Sequence, residues 1–312
     1  MRIKDIITEM LGAGASAVHI TSGSPPMFRI HGALRTFEDA FSVAEADQVL
    51  DLADEFFGFN IAEGDGPISF FSNAMHEERR FRGAFFVSDR AASLVISALP
   101  ERIPEFSKLG PPPEMMRLLD LDEGLVVIAG GHGSGKTTTL LAIADDINMR
   151  HAMSICVLDG GDIPELIPAK SAVHMIPYDP IIGAAEAYRY ALQADADVVV
   201  GGIEDEYDLE GALLCANAGC LVIVNYHAGD VAEALEALAE LAEGFPRGPM
   251  MLADLLQVCV SQELRSENGS GLRAVYEVLW NDADVAGLIM GDETAEIVPE
   301  LLKRKGNLPC MP

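Results

Sequence analysis

At about 150 residues per domain, a chain of 312 residues has room for two domains and a sizeable core. Its 49% hydrophobic and 22% charged residues are a globular composition, which excludes fibrous, collagen-like and low-complexity chains. The 49 Asp and Glu against 21 Lys and Arg leave a net charge of -28, a surface that repels nucleic-acid and lipid phosphates, so no nucleic-acid partner is expected.

Cys156, Cys215, Cys220, Cys259 and Cys310 are odd in number and never spaced CxxC, which argues against a disulfide framework and a structural zinc site. Met1 to Gly14 has no signal-peptide core, and the most apolar stretch, Gly211 to Val224, is broken by Asn217 and Gly219. That stretch also falls short of the roughly 20 residues of a membrane span, so a cytoplasmic protein is expected.

In chain order, Ile3, Ile6, Ile7, Met10 and Leu11 fall on one helical stripe, after which Val18, Ile20, Phe28 and Ile30 alternate like half-buried strands. Ser42 and Glu45 have capping-box spacing ahead of Val49, Leu50 and Leu52, predicting a second helix to Phe57. Strand-like runs follow at Ile68 to Phe71, Phe81 to Val87 and Leu94 to Ser97. Pro100 to Pro113 holds five prolines and reads as a stiff, extended connection, dividing the chain into domains 1–99 and 114–312 joined by a linker at 100–113.

Beyond it, apolar runs at Leu125 to Ala129, Ile155 to Leu158, Val198 to Val200 and Leu221 to Val224 alternate with helical patterns at Thr137 to Met149 and Ala184 to Gln193. Another helix is predicted over Val231 to Glu243, capped by Asp230 with Glu233 three residues on. This is the texture of an α/β domain whose parallel strands are covered on both faces.

The strongest motif is GGHGSGKTTT, where Gly130, Gly135, Lys136 and Thr137 satisfy GxxxxGK[ST] between a buried-type strand and a helix. Backbone N–H groups of such a loop curl round a polyphosphate, the lysine meets the terminal phosphates and the threonine hydroxyl meets Mg2+. Gly130, Gly131, Gly133, Ser134, Gly135, Lys136, Thr137 and Thr138 are therefore the expected nucleotide-binding residues, with ATP and Mg2+ as cofactors and Thr137 as metal ligand. His132 reads as an exposed loop residue.

Hydrolysis also needs a carboxylate to orient water and a cation to meet the transferring phosphoryl group. VVVGGIEDE sets Glu204, Asp205 and Glu206 just past a strand end, the edge where open α/β sheets bind ligands. Glu204 is the first candidate for the base; the same cluster is equally an ordinary solvated turn.

In this order the segments ASAVHITSGSPPMFRIHGAL, RRFRGAFF, GLVVIAGGHGSGKTTT, LVIVNYHAGD and LQVCVSQEL resemble the secretion ATPase superfamily, and within it the PilT-like retraction ATPases of type IV pili. The resemblance implies a smaller PAS-like α+β N-terminal domain joined to a RecA-like P-loop ATPase domain, assembled as a homohexamer. It further implies ATP turnover that drives pilus retraction and twitching motility through an inner-membrane platform protein, with the ring peripheral to that membrane and a second ring ATPase as a further partner. Arg80 and Arg82, two apart on one strand face, match the family's charge-stabilising arginines, and His227 its phosphate-sensing histidine; taken alone, the two arginines read equally as a solvated strand face. His227 taken alone also reads as a buried histidine satisfied by backbone.

The chain departs from the pattern in four places. The aspartate box reads LDGGDIPE, leaving Asp159, Asp162 and Glu165 as its carboxylates, of which Asp159 is the candidate catalytic residue. At the Walker B glutamate, an ungapped reading sets Ile203, with Glu204 one residue late unless a bulge at Gly201 and Gly202 restores it. An arginine preceding an Ile-Pro pair is replaced around Ser97, and AIRNLIRE reads DVAGLIMG over Asp284 to Gly291. Two readings follow: a working hexameric ATPase motor, or a nucleotide-binding pseudo-ATPase serving as a regulatory or structural ring subunit.

Overall fold

Helix α1 (Ile3–Gly12) opens the computed structural model, which describes residues 2–30, 32–36, 45–58, 68–76, 79–88, 91–99, 103–160, 163–178, 183–267 and 271–291. The chain divides into two units, Met1–Arg102 and Ile103–Pro312.

In the first unit the stripe Ile3, Ile6, Ile7 and Met10 is buried, as its helical spacing requires. Helix α2 (Ala46–Phe57) buries Val49, Leu52, Ala53 and Phe56 and ends on the left-handed Gly58. Its cap is Glu45, which forms the reciprocal capping pair with Gln48. The cap expected at Ser42 is thus displaced by three residues, because Glu45 and Gln48 have the same spacing; Ser42 itself lies outside the described residues.

Both helices pack on an antiparallel sheet whose described strands run in the order β3-β2-β1-β6-β5-β4. The strands are β1 (Ala17–Thr21), β2 (Met27–Ile30), β3 (Ala33–Thr36), β4 (Ile68–His76), β5 (Arg79–Ser88) and β6 (Ala91–Ala98). Val18, Ile20, Phe81, Phe85, Leu94 and Ile96 turn inward by the period of two. A side chain at Gly83 would overlap the Phe56 ring, so a glycine lets α2 sit close on β5.

The second unit begins inside the proline-rich stretch, which is not extended throughout: Phe106–Leu109 and Pro113–Asp120 are 3-10 turns, and Phe106 is fully buried. Burial of one aromatic and of Met115, Leu118 and Leu119 outweighs the prolines' preference for open backbone.

Its described strands are β7 (Gly124–Ala129), β8 (Ser154–Asp159), β9 (Ala172–Pro177), β10 (Val198–Gly202), β11 (Leu221–Tyr226), β12 (Leu256–Glu267) and β13 (Gly271–Trp280). They form one sheet in the order β13-β12-β7-β11-β10-β8-β9, parallel except for the edge strand β13.

On one face lie the 3-10 turns and α3 (Lys136–Arg150), meeting Val126, Ile128, Ile155, Val157, Val198 and Val200. On the other lie α4 (Ala185–Gln193), α5 (Glu206–Asn217), α6 (Val231–Ala242), α7 (Gly248–Leu255) and α8 (Ala283–Ile289), meeting Leu125, Val127, Cys156, Leu158, Val199 and Cys259. Continuous apolar runs are needed because both faces are covered. Asp230 caps α6 by accepting the Glu233 N–H, while the Glu233 carboxylate takes the N–H of Gly229. At the end of β13, the Arg117 guanidinium sits 4.3 Å over the ring of Trp280, the chain's single tryptophan.

Candidate functional site

From Ala129 the chain turns through Gly130 to Gly135 into the N-terminus of α3. Gly130, Gly133 and Gly135 have φ of 157°, 75° and 88°, values that side chains disfavour. Two of these positions are also closed sterically. A Cβ at Gly130 would overlap Ser134 Oγ and approach Gln262 O to 2.5 Å, and one at Gly135 would meet Gln262 Nε2 at 2.8 Å. Gly133 faces open space, so only its conformation requires glycine.

Lys136 Nζ donates to the carbonyl oxygens of Gly130 at 2.6 Å and Gly131 at 2.8 Å. Burial pushes its pKa below the ordinary lysine value. Ser134 Oγ is buried and has no hydrogen-bond partner among the described residues. Thr137 and Thr138 occupy the first turn of α3, whose leading N–H groups add positive potential. An orphaned hydroxyl, a cation held by carbonyls and a helix N-terminus thus converge on one glycine cradle, and this donor set fits a polyphosphate. A groove of about 420 Å³ flanks the loop, lined by Leu109, Gly135, Thr138, Leu264, Leu272 and Tyr276 among others. His132 is exposed, in keeping with its position at the loop tip.

Because β7, β8, β10 and β11 are parallel, their C-terminal ends share the sheet edge that carries the loop. That edge brings Asp159, Glu204 and His227 to the same side as Lys136. Asp159 Oδ1 accepts the Ile163 N–H at 3.4 Å; Glu165 is exposed and Asp162 lies outside the described residues. His227 is exposed just past β11, which removes the reading of a buried histidine satisfied by backbone.

The segment after β10 differs from the family pattern in a specific way. β10 and β11 pair without a register shift from Val198–Leu221 to Gly202–Asn225, and the Ile203 N–H continues the ladder to Asn225 O at 3.1 Å. No bulge carries Glu204 back into the strand, and Ile203, 3% exposed, points into the core beneath α4 and α5. Glu204 is exposed in the following turn, and its N–H donates to Asp208 Oδ2 at 3.2 Å. Asp205 is the cap of α5, accepting the N–H groups of Tyr207 and Asp208, and Glu206 is the first helical residue.

Three residues that hold these segments escape a reading of the sequence alone. Asp208 is buried and also accepts the Ala184 N–H at 2.7 Å; burial holds its carboxyl above the usual aspartate range. The fully buried Tyr188 donates its hydroxyl to Gly202 O at 2.8 Å, and a Cβ at Gly201 would meet that hydroxyl at 2.7 Å. Gln262, buried in β12, donates to Ser134 O. The available signal for Gln262 was a polar side chain inside the apolar run LQVCVSQEL.

In the other unit Arg80 and Arg82 lie on one face of β5, half-buried, opposite the buried Phe81, Gly83 and Phe85. The segment resembling AIRNLIRE forms α8, where Val285 and Ile289 pack inward and Asp282 caps the helix.

The sequence profile of the family described as type II/IV secretion system protein matches residues 92–305. Among curated proteins, the chain is similar to the type IV pilus retraction ATPase PilT of Pseudomonas aeruginosa. That match is 28% identical over 310 residues, covering 93% of this chain and 87% of PilT. It is similar also to the uncharacterized protein YggR of Escherichia coli strain K12, 27% identical over 311 residues, with 95% of this chain and 91% of YggR covered. Among solved structures, the crystal structure of the pilus retraction motor PilT with bound ADP superposes with a TM-score of 0.80 at 27% identity, covering 97% of this chain and 90% of the other.

Proposed function

The chain belongs to the type II/IV secretion system protein family, and from that premise we propose that it is a Mg-ATP-dependent motor ATPase of a type IV pilus or related secretion system, working as a homohexamer. The observation that carries the reading is the glycine cradle, in which, among the described residues, the Ser134 hydroxyl has no partner and Lys136 Nζ is held by the loop carbonyls of Gly130 and Gly131. Similarity to a PilT that binds ADP supports the same ligand class.

In this reading the N–H groups of Gly131 to Lys136 grip the β- and γ-phosphates, and Lys136 exchanges its carbonyl partners for phosphate oxygens. Thr137 is the residue that would hold Mg2+, which when bound neutralises charge between the β- and γ-phosphates. Thr138 and the groove beside Tyr276 receive the nucleoside. Glu204 orients the attacking water, Asp159 supports the polar edge beside it and His227 senses the terminal phosphate, while Arg80 and Arg82 keep the charge-stabilising role that the family resemblance implies for them.

No helix among the described residues is long and apolar enough to cross a membrane. A ring lying in the cytoplasm against an inner-membrane platform protein, beside a second ring ATPase, completes the proposal. Its test is Mg2+-dependent phosphate release by folded, hexameric full-length protein; absence of release under those conditions removes the motor reading.

A second reading has its own observation: Ile203 is buried at the position expected for the Walker B glutamate, and β10 has no bulge to compensate. It makes the protein a pseudo-ATPase that binds nucleotide as a regulatory or structural ring subunit. Comparing wild type with Glu204→Gln separates the two, since only a working base has turnover to lose.

A further inference from the structure

Gln262 lies in β12, the strand next to β7 on the side away from β11, and its side chain is 5% exposed. Both ends of its amide are engaged. Nε2 donates to Ser134 O at 2.7 Å, and Oε1 accepts the Thr139 hydroxyl at 2.6 Å, so the amide bridges the loop to the second position of α3 beyond Thr137. The same residue sets the size of two loop positions: its backbone oxygen closes on Gly130 and its amide nitrogen on Gly135.

We propose that Gln262 is the positioning residue of the phosphate loop: its amide pins Ser134 O downward so that the Gly133 to Lys136 N–H groups are aimed outward at the bound phosphates. The proposal rests on the nucleotide-binding reading above and extends it to a strand outside the loop itself. A peptide unit has its C=O and N–H on opposite sides, so fixing the Ser134 carbonyl toward β12 fixes the Gly135 N–H away from it. A donor at this place is not interchangeable with another polar group, because the atom it meets is a carbonyl oxygen buried where water does not replace a lost partner.

The bridge reaches further along the same sheet edge. Tyr276 of β13, the cross-strand partner of Gln262, donates its hydroxyl to Leu109 O at 3.3 Å and lines the groove beside the loop together with Thr139. The loop, the first turns of α3 and the 3-10 turn Phe106–Leu109 thereby meet at three neighbouring side chains, those of Gln262, Thr139 and Tyr276.

The experiment measures ADP affinity by calorimetry on the full chain, with thermal melts and circular dichroism on the same preparations. Gln262→Glu keeps the acceptor for Thr139 and sets an oxygen against Ser134 O; it is expected to weaken ADP binding by about tenfold or more with the helical and sheet signal of wild type. Thr139→Val removes only the other bond and is expected to weaken binding less. If Gln262→Glu does not fold, Gln262→Met, which keeps the volume and removes the donor, is judged by the same criterion. ADP affinity equal to wild type in the folded Gln262 variant overturns this proposal alone. Loss of affinity that merely follows loss of melting temperature in both Gln262 and Thr139 variants also overturns it. A wild type that binds no ADP overturns it together with the proposed function.

Discussion

The loop after β7 and the turn after β10 stand on the same sheet edge, yet they are built to different standards. Around the loop, each glycine with a closed position has a named neighbour closing it, and the cation, the hydroxyl and the helix N-terminus point at one volume. Around the turn, the position expected to carry the base is an isoleucine committed to the core, and the nearest glutamate is exposed in a cap-and-turn structure held by Asp205 and Asp208. Gripping a phosphate uses mostly backbone, which a sequence preserves simply by keeping its glycines small. Activating water uses one side chain in one place, so a one-residue offset changes it completely.

The comparison breaks most sharply at Glu204. In the motor reading Glu204→Gln lowers ATP turnover by about a hundredfold or more with ATP affinity retained, as read by phosphate release and calorimetry; unchanged turnover leaves the base outside this turn. Next in size is Lys136→Ala, which removes the one side-chain cation of the loop. Nucleotide binding is expected to weaken by about a hundredfold, a loss on the order of 2–3 kcal/mol for hydrogen bonds to charged groups. A variant that still binds like wild type removes the contrast between a built loop and an altered turn.

A smaller effect tests the turn's packing. Gly201→Ala introduces a methyl group against the Tyr188 hydroxyl and 3.0 Å from Leu158 Cδ1, in a fully packed layer. Overpacking of this kind costs about 1–3 kcal/mol, which a denaturant titration of the full chain measures as a lower midpoint with unchanged slope. An unchanged midpoint means the turn is looser than its contacts imply.

The smallest effect is a pH dependence. Burial raises the Asp208 carboxyl above its ordinary value, with Asp205 and Glu204 adding to the rise and the N–H groups of Glu204 and Ala184 opposing it. A raised folded-state value means its favourable contribution is complete below the unfolded value of about 3.9 and is lost as pH rises through the folded one. Asp208→Asn removes that step, so wild type should lose melting temperature relative to the variant as pH climbs above about 4. Parallel curves from pH 4 upward would show that Asp208 does not titrate in this window.

The two regions also differ in how far the sequence alone exposes them. GxxxxGK[ST] is local, and β7, β8, β10 and β11 announce themselves as unbroken apolar runs because helices cover both their faces. The most apolar stretch, Gly211 to Val224, shows the limit of such runs: it is the end of α5, a turn through Gly219 at φ 96°, and then β11. Composition does not separate helix from buried strand, and here the boundary lies between Asn217 and Gly219, where the absence of a side chain on Gly219 permits the left-handed turn that ends the helix.

The hairpin β12–β13 is hidden for another reason. Its residues Gln257, Ser261, Gln262 and Glu263 interrupt the apolar alternation, and their partners lie far off in sequence: Gln262 and Ser134 are 128 residues apart. The same holds for Asp208 and Ala184, 24 residues apart. The shift of the α2 cap to Glu45 has a local cause instead, since two acceptable capping pairs overlap in the sequence. Resemblance to PilT-like ATPases supplied the order of the segments, and the departures at Ile203 and in α8 are where that resemblance stops carrying roles.

The cation stacked on Trp280 offers a practical handle. As the chain's single indole, it sits at the far end of β13 with its ring nitrogen buried and a guanidinium over its face. Emission excited selectively at the red edge therefore comes from the ATPase half alone, while the amino-terminal half stays dark, so fluorescence set beside circular dichroism would reveal whether the halves melt together or in turn.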